Sequence, residues 1–187
     1  MSVQLKKGDV FLTRGNAIIS RLIRVFTRGF GEKRTSVNHV GIVVKDGTLK
    51  SAVVVEALSK VVEHKLWDKY GPPNGDAVAV YRPKNCPPYE IKTIVAAARK
   101  QVKKKYGWLM IGAHFLDWML LGSYVFRRLV PGDKYPICSW LVAYAYSEVG
   151  KYFGVNPGEA SPDDIWDFIT ETHPELYEKI YPLGPLA

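Results

Sequence analysis

Cysteine is nearly absent from this sequence, with two residues, Cys86 and Cys138, in 187. Two thiols in unlike settings, "NCPPY" and "YPICSWLVAYAY", exclude a disulfide framework. Histidine is also scarce, with four residues, and no two of them stand at metal-ligand spacing. There is no Cys-x-x-Cys pair, no glycine-rich phosphate loop and no Gly-x-Ser-x-Gly elbow, so metal, cofactor and nucleotide chemistry lack support. Internal repeats and low-complexity tracts are missing too. The N-terminal "MSVQLKKGDVFL" has no long apolar stretch behind its lysines, which argues against a signal peptide and for a cytoplasmic location. One apolar segment, Tyr106–Phe126, approaches bilayer-spanning length. His114 and Asp117 near its middle are costly in lipid, so it is expected to form one or two buried helices, with peripheral membrane contact as the other reading.

What is present is an ordinary globular composition, 47% hydrophobic and 24% charged. The length suits one domain with a core of its own. The formal net charge is +8, with basic residues gathered in Arg21–Arg34, Arg99–Lys105 and the pair Arg127 and Arg128. Such a balance fits an anionic partner or simply solvated helix faces. Nucleic-acid binding would rest on charge alone and is not expected.

The first half reads as strands. "GDVFLTRG" is a short strand, and Asn16–Gly29 an amphipathic helix with Ile18, Ile19, Leu22, Ile23 and Phe26 at helical spacing. "VNHVGIVVKDGTLKSAVVVEAL" reads as a hairpin turning at Asp46-Gly47, and Ala77–Pro83 as a further strand. The second half reads as helices, over Tyr89–Lys105, Cys138–Gly150 and from Pro162 onward, the last with Ser161 as its N-cap. Strands followed by helices in one chain predict an α+β fold.

Three residues stand out for chemistry. Cys138 falls at the start of a helix, where the positive end of the dipole and unpaired N–H groups favour a thiolate and can hold an oxyanion. A small buried hydrophobe is the plain alternative. His39 lies in the apolar strand "SVNHVGIVV", and a thiolate needs an imidazole nearby. Glu56 is the only charged residue in "SAVVVEAL" and needs a partner. A turn at Asp46-Gly47 sets His39 opposite Val54 and makes Glu56 its diagonal neighbour on the same face. A carboxylate that orients an imidazole serving a nucleophile is the logic of a catalytic triad. His64, in the charged stretch "VVEHKLWDKY", reads as a loop residue, and His114 and His173 carry no signal.

The ordered set "GDVFLTRG", "NHVGIVV", "VVVEAL", "YPICSWLVAYAY" and "SPDDI" resembles the permuted papain-like proteins of the NlpC superfamily, in particular their bacterial permuted amidase or peptidase branch. The histidine strand precedes the cysteine helix there, and His39, Glu56 and Cys138 follow that order. The resemblance runs from Gly8 to about Asp164. It implies a single permuted papain-like hydrolase domain over residues 1–187, with a small antiparallel sheet or barrel packed on helices and a helical insert at about 106–130. It further implies Cys138 as nucleophile, His39 as base and Glu56 as the orienting residue. Tyr106 matches a tyrosine of the family, but Gly107 stands where an aspartate usually follows. The function implied is a cysteine hydrolase cleaving a peptide or cell-wall-peptide amide, with an anionic cell-wall fragment or a lipid as possible partner. The alternatives are a lipid-directed acyltransferase or phospholipase at a membrane surface, and a non-catalytic binding module.

Overall fold

The computed structural model describes residues 3–15, 36–73, 76–105 and 137–186. The expected helix Asn16–Gly29, the insert at about 106–130, Tyr106 and the basic residues Arg127 and Arg128 lie outside these residues.

The chain is α+β, as the order of elements suggested. Among the described residues the strands are β1 (Gln4–Leu5), β2 (Val10–Arg14), β3 (His39–Lys45), β4 (Gly47–Thr48), β5 (Val53–Ala57), β6 (Val61–Lys65), β7 (Ala77–Pro83) and β8 (Tyr177–Pro185). Among the described residues the helices are α1 (Leu66–Tyr70), α2 (Pro88–Lys100), α3 (Cys138–Ser147) and α4 (Pro162–Asp167). A π-helical turn, Phe168–Thr172, and a 3-10 turn, Pro174–Leu176, lead into β8. Six strands form one antiparallel sheet in the order β6-β5-β3-β2-β7-β8, and β1 pairs with β4 in a small second sheet.

Side chains alternate across the sheet, and both faces are covered. Val10, Leu12, Val40, Ile42, Val55 and Ala57 pack with α2, α3 and α4 on one face. Phe11, Val43, Val54, Val78 and Val80 pack with Leu5, Leu66, Tyr70 and Leu186 on the other. Burial on both sides is why β2, β3 and β5 read as unbroken apolar runs rather than as alternating ones.

Within the six-stranded sheet, two strands were not legible as such, and they are its two edges. β6 lies in what reads as the charged loop around His64, and β8 follows the helices and so breaks the strands-then-helices order. Edge strands tolerate charges and prolines because one side of their backbone is unpaired. β6 carries Glu63, His64 and Lys65, and β8 carries Glu178, Lys179, Pro182 and Pro185.

The β3–β5 connection also differs from a two-residue turn at Asp46-Gly47. The chain first detours through β4 to meet β1, then turns back over Thr48–Ala52. β3 and β5 therefore pair as Ile42↔Val55 and Val43↔Val54, with an irregularity between Val43 and Lys45. Continued toward the start of β3, this register sets His39 level with Leu58 instead of Val54. The shift is an even number of residues, so Glu56 remains a diagonal neighbour on the same face.

The "GD" that opens β2 is an anchor. Gly8 has φ +84, and a Cβ there would meet Ile91 Cδ1 at 2.5 Å. The Tyr146 hydroxyl of α3 donates to its carbonyl at 2.5 Å. Asp9 is fully buried, receives both Nε and Nη2 of Arg82 at 2.8 Å and caps the Lys6 N–H at 2.8 Å. Ser161 caps α4 as expected, accepting from Asp164 N while the Asp164 carboxylate accepts from Ser161 N.

Candidate active site

His39 opens β3, with its side chain on the face that carries Val43 and Val54. Gly41, two residues on, lets the Phe11 ring lie against the strand: a Cβ there would sit 2.4 Å from Phe11 Cε1. Phe11 in turn packs its ring 6.5 Å from that of His39 and 5.8 Å from that of Tyr70. The glycine of "HVGIVV" is thus needed for close approach, and the aromatic floor of the site depends on it.

Glu56 is wholly buried in β5. Its Oε2 accepts from His39 Nε2 and from the Tyr70 hydroxyl, the latter at 2.6 Å. Its Oε1 accepts from His64 Nε2 at 2.6 Å. Three donors converge on one carboxylate, which is what a charge cut off from water requires. Burial alone would raise the Glu56 carboxyl, but His39, His64 and Tyr70 together hold it well below the usual carboxylate range.

Cys138 is the first residue of α3, preceded by Ile137 in extended conformation. α3 packs on β3, and this contact sets Cys138 near enough to His39 to act on the charge of its ring. With Nε2 on Glu56, Nδ1 is the ring nitrogen left for the sulfur. Cys138 is 5% exposed. The start of α3 is held by Ser139, whose buried hydroxyl donates to the Ala160 carbonyl at 2.6 Å. Ile137 offers the helix no side-chain cap, so no side-chain oxygen of the N-cap residue competes for the first N–H groups of α3.

The electrostatics of His39 follow from these neighbours. Burial would lower its affinity for a proton, but the charges of Cys138 and Glu56 and the hydrogen bonds to both raise the imidazole to about 10. At neutral pH the ring is an imidazolium between a sulfur and a carboxylate. The three residues singled out in the sequence therefore meet in one chain of contacts, Cys138 to His39 to Glu56.

No family model matches the chain, and the curated proteins give no match either. A solved structure does. The crystal structure of the metalloprotein yiiX from Escherichia coli O157:H7, described as DUF1105, aligns with a TM-score of 0.55 at 18% sequence identity. The alignment covers 96% of this chain and 89% of that one. The likeness is one of fold.

The other thiol and histidines divide clearly. Burial and a hydrogen bond to Glu90 push the Cys86 thiol up to about 11, so it is protonated and inert at neutral pH. His173 is exposed and bonds Glu175 at 3.1 Å. His114 lies outside the described residues. His64 and Tyr70 are the site residues that sequence reasoning missed. The signal was present: "VVEHK" paired antiparallel to "VVVEA" sets His64 opposite Val54, on the face of Glu56. Among the described residues no helix is long and apolar enough to cross a membrane.

Proposed function

We propose that this protein is a cysteine hydrolase of circularly permuted papain-like fold that cleaves an amide bond, with Cys138 as nucleophile, His39 as acid and base, and Glu56 as the residue that orients His39. The observation that carries this reading is the junction of α3 with β3, where a thiol at a helix N-terminus meets an imidazolium that is itself fixed by a buried carboxylate. A structural cysteine needs none of this, and burying a carboxylate under three donors only to orient a ring is costly without a function for the ring.

The geometry supports an acyl-transfer reaction at Cys138. The Cys138 sulfur attacks the carbonyl carbon, a C–S bond forms, and the carbonyl π electrons move to oxygen. The first N–H groups of α3, uncapped by a side chain, are the donors this reading assigns to that developing oxyanion. As the oxyanion collapses, the C–N bond breaks and the imidazolium of His39 gives its proton to the departing amine. Neutral His39 then takes a proton from water, and the resulting hydroxide displaces sulfur from the acyl group. The acid product leaves, and the imidazolium–sulfur pair is restored. Glu56 keeps Nε2 protonated throughout and directs Nδ1 at the sulfur.

The fold neighbour is called a metalloprotein, which raises the question whether this donor set fits a metal. It does not. Nε2 of His39, Nε2 of His64 and the Tyr70 hydroxyl all point protons at Glu56, and Nδ1 of His64 points at the Lys65 carbonyl. Among the described residues no three histidine, cysteine or acidic side chains are grouped so as to hold a metal ion. No step of the reaction is routed through one.

Thiol reactivity tests the reading. Iodoacetamide labelling of Cys138 is measured against pH in the wild type and in His39→Ala. Fast labelling at or below neutral pH that slows at least tenfold in the variant is expected. Labelling that follows an ordinary thiol, with a midpoint near ~8.5 in both proteins, overturns it.

A further inference from the structure

Glu56 serves more than His39. Its second oxygen accepts from His64 Nε2 at 2.6 Å, while His64 Nδ1 lies 2.8 Å from the Lys65 carbonyl oxygen. An ionised carboxylate and a carbonyl only accept hydrogen bonds, so both ring nitrogens of His64 carry protons. We propose that His64 stands on Glu56 as a second imidazolium and, with Tyr70, is a positioning residue of the thiol site. It fixes the carboxylate and shares its charge, so that His39 is oriented without being held too tightly to release its proton. The role rests on the hydrolase reading above; the ionisation of His64 does not.

The setting of His64 supports a cation. Its strand partner is Val54, two residues from Glu56 on the same face. The charged groups that act on it are Glu56 from β5 and Lys69 from α1. Glu63, next in sequence, alternates to the other face and is tied to Arg99 at 2.8 Å. Burial lowers the proton affinity of His64 and Lys69 opposes it as well, but the bond and charge of Glu56 and the Lys65 carbonyl overcome both, and the imidazole is raised above 6.5. Loss of the Nδ1 proton would turn a lone pair onto the Lys65 carbonyl. The ring would have to rotate, and Glu56 would lose one of its three donors.

Such a device separates two demands on the carboxylate. A single histidine on a buried glutamate is oriented and made strongly basic by the same bond. A second cation on the other oxygen leaves the orientation intact and offsets the basicity, because the two imidazolium charges repel through the shared carboxylate. His64 is thus placed to tune the acid that protonates the leaving group while touching neither substrate nor sulfur.

Nitrogen-15 NMR of the histidine rings in the full chain, combined with iodoacetamide labelling of Cys138, tests this. In the wild type at pH 7, His64 is expected to be mainly doubly protonated. The Cys138→Ser chain, which removes the sulfur's pull on His39, is compared with Cys138→Ser/His64→Gln. His39 should hold its proton to a pH about one unit higher once the neighbouring cation is gone. His64→Gln retains a donor at the Nε2 position and should label at Cys138 within about threefold of wild type at pH 7, whereas His64→Ala should be slowed about tenfold or more. A His64 that titrates at or below an ordinary ~6.5, or a His39 midpoint unmoved by His64→Gln, overturns the proposal. Labelling that needs His39 but ignores both His64 variants overturns the positioning role alone. Labelling that ignores His39 as well overturns the hydrolase reading with it. The wild-type spectrum requires no variant to fold.

Discussion

Replacing Glu56 by glutamine removes the charge of the carboxylate that His39, His64 and Tyr70 share. An amide of the same shape keeps one acceptor oxygen and turns an NH2 group toward the remaining donors. Hydrogen bonds to a charged group contribute about 1.5–3 kcal/mol each, and desolvation of the carboxylate opposes their sum by several kcal/mol. The net loss expected is about 3 kcal/mol, the low end for removing one partner of a buried ionic group. For a chain of this length that is a fall in Tm of about 6–12 °C. The loss also has a pH signature. The Glu56 carboxyl is held below its usual value of 4.5, so its contribution is complete above that pH and fades only as the pH falls below it. Thermal melts of wild type and Glu56→Gln at pH 7, 5 and 3 should show a gap that is undiminished at 5 and narrowed at 3. A variant within about 0.5 kcal/mol of wild type at pH 7, or a gap already closed at pH 5, would refute the account of Glu56 as a buried, ionised hub.

Other substitutions follow from the same geometry. Gly41→Ala forces the Phe11 ring away from the strand and should cost about 1–3 kcal/mol while slowing Cys138 labelling, because that ring packs on His39 and Tyr70. Conserved labelling in a folded Gly41→Ala chain would show that the aromatic floor does not position His39. Arg82→Ala leaves the buried Asp9 carboxylate without its bidentate partner, and a urea titration should record a loss of about 3–5 kcal/mol. A loss under about 1 kcal/mol would mean that Asp9 finds another partner. Ser161→Ala removes the α4 cap and should lower stability by about 1 kcal/mol with Cys138 labelling unchanged.

The centre of the sheet and the nearness of His39 to Glu56 were legible from residue patterns because each depends on a local rule. β-branched runs mark β3 and β5, strand parity puts His39 and Glu56 on one face, and the apolar run from Cys138 marks α3. Parity survived even though the register was misjudged, since the detour through β4 moved the pairing by an even count. The edges were not legible. β6 and β8 have little apolar alternation of their own, and their strand character comes from pairing with β5 and β7. His64 was missed for that reason, and Tyr70 because the five-residue helix carrying it has no signal beyond packing. A buried carboxylate announces that it needs partners, but only tertiary pairing says how many it has.

The site is split between two parts of the chain that the ribosome delivers at different times. The proton-handling half, His39 with Glu56, His64 and Tyr70, belongs to strands and a short helix made early. The sulfur arrives on α3, far along the sequence, and meets them only when that helix docks on β3. A contact of such long sequence separation forms late in folding. The nascent sheet therefore carries its imidazole before α3 exists to pack against it. If the hydrolase reading holds, the onset of rapid Cys138 labelling is a clock for the final closure of the fold.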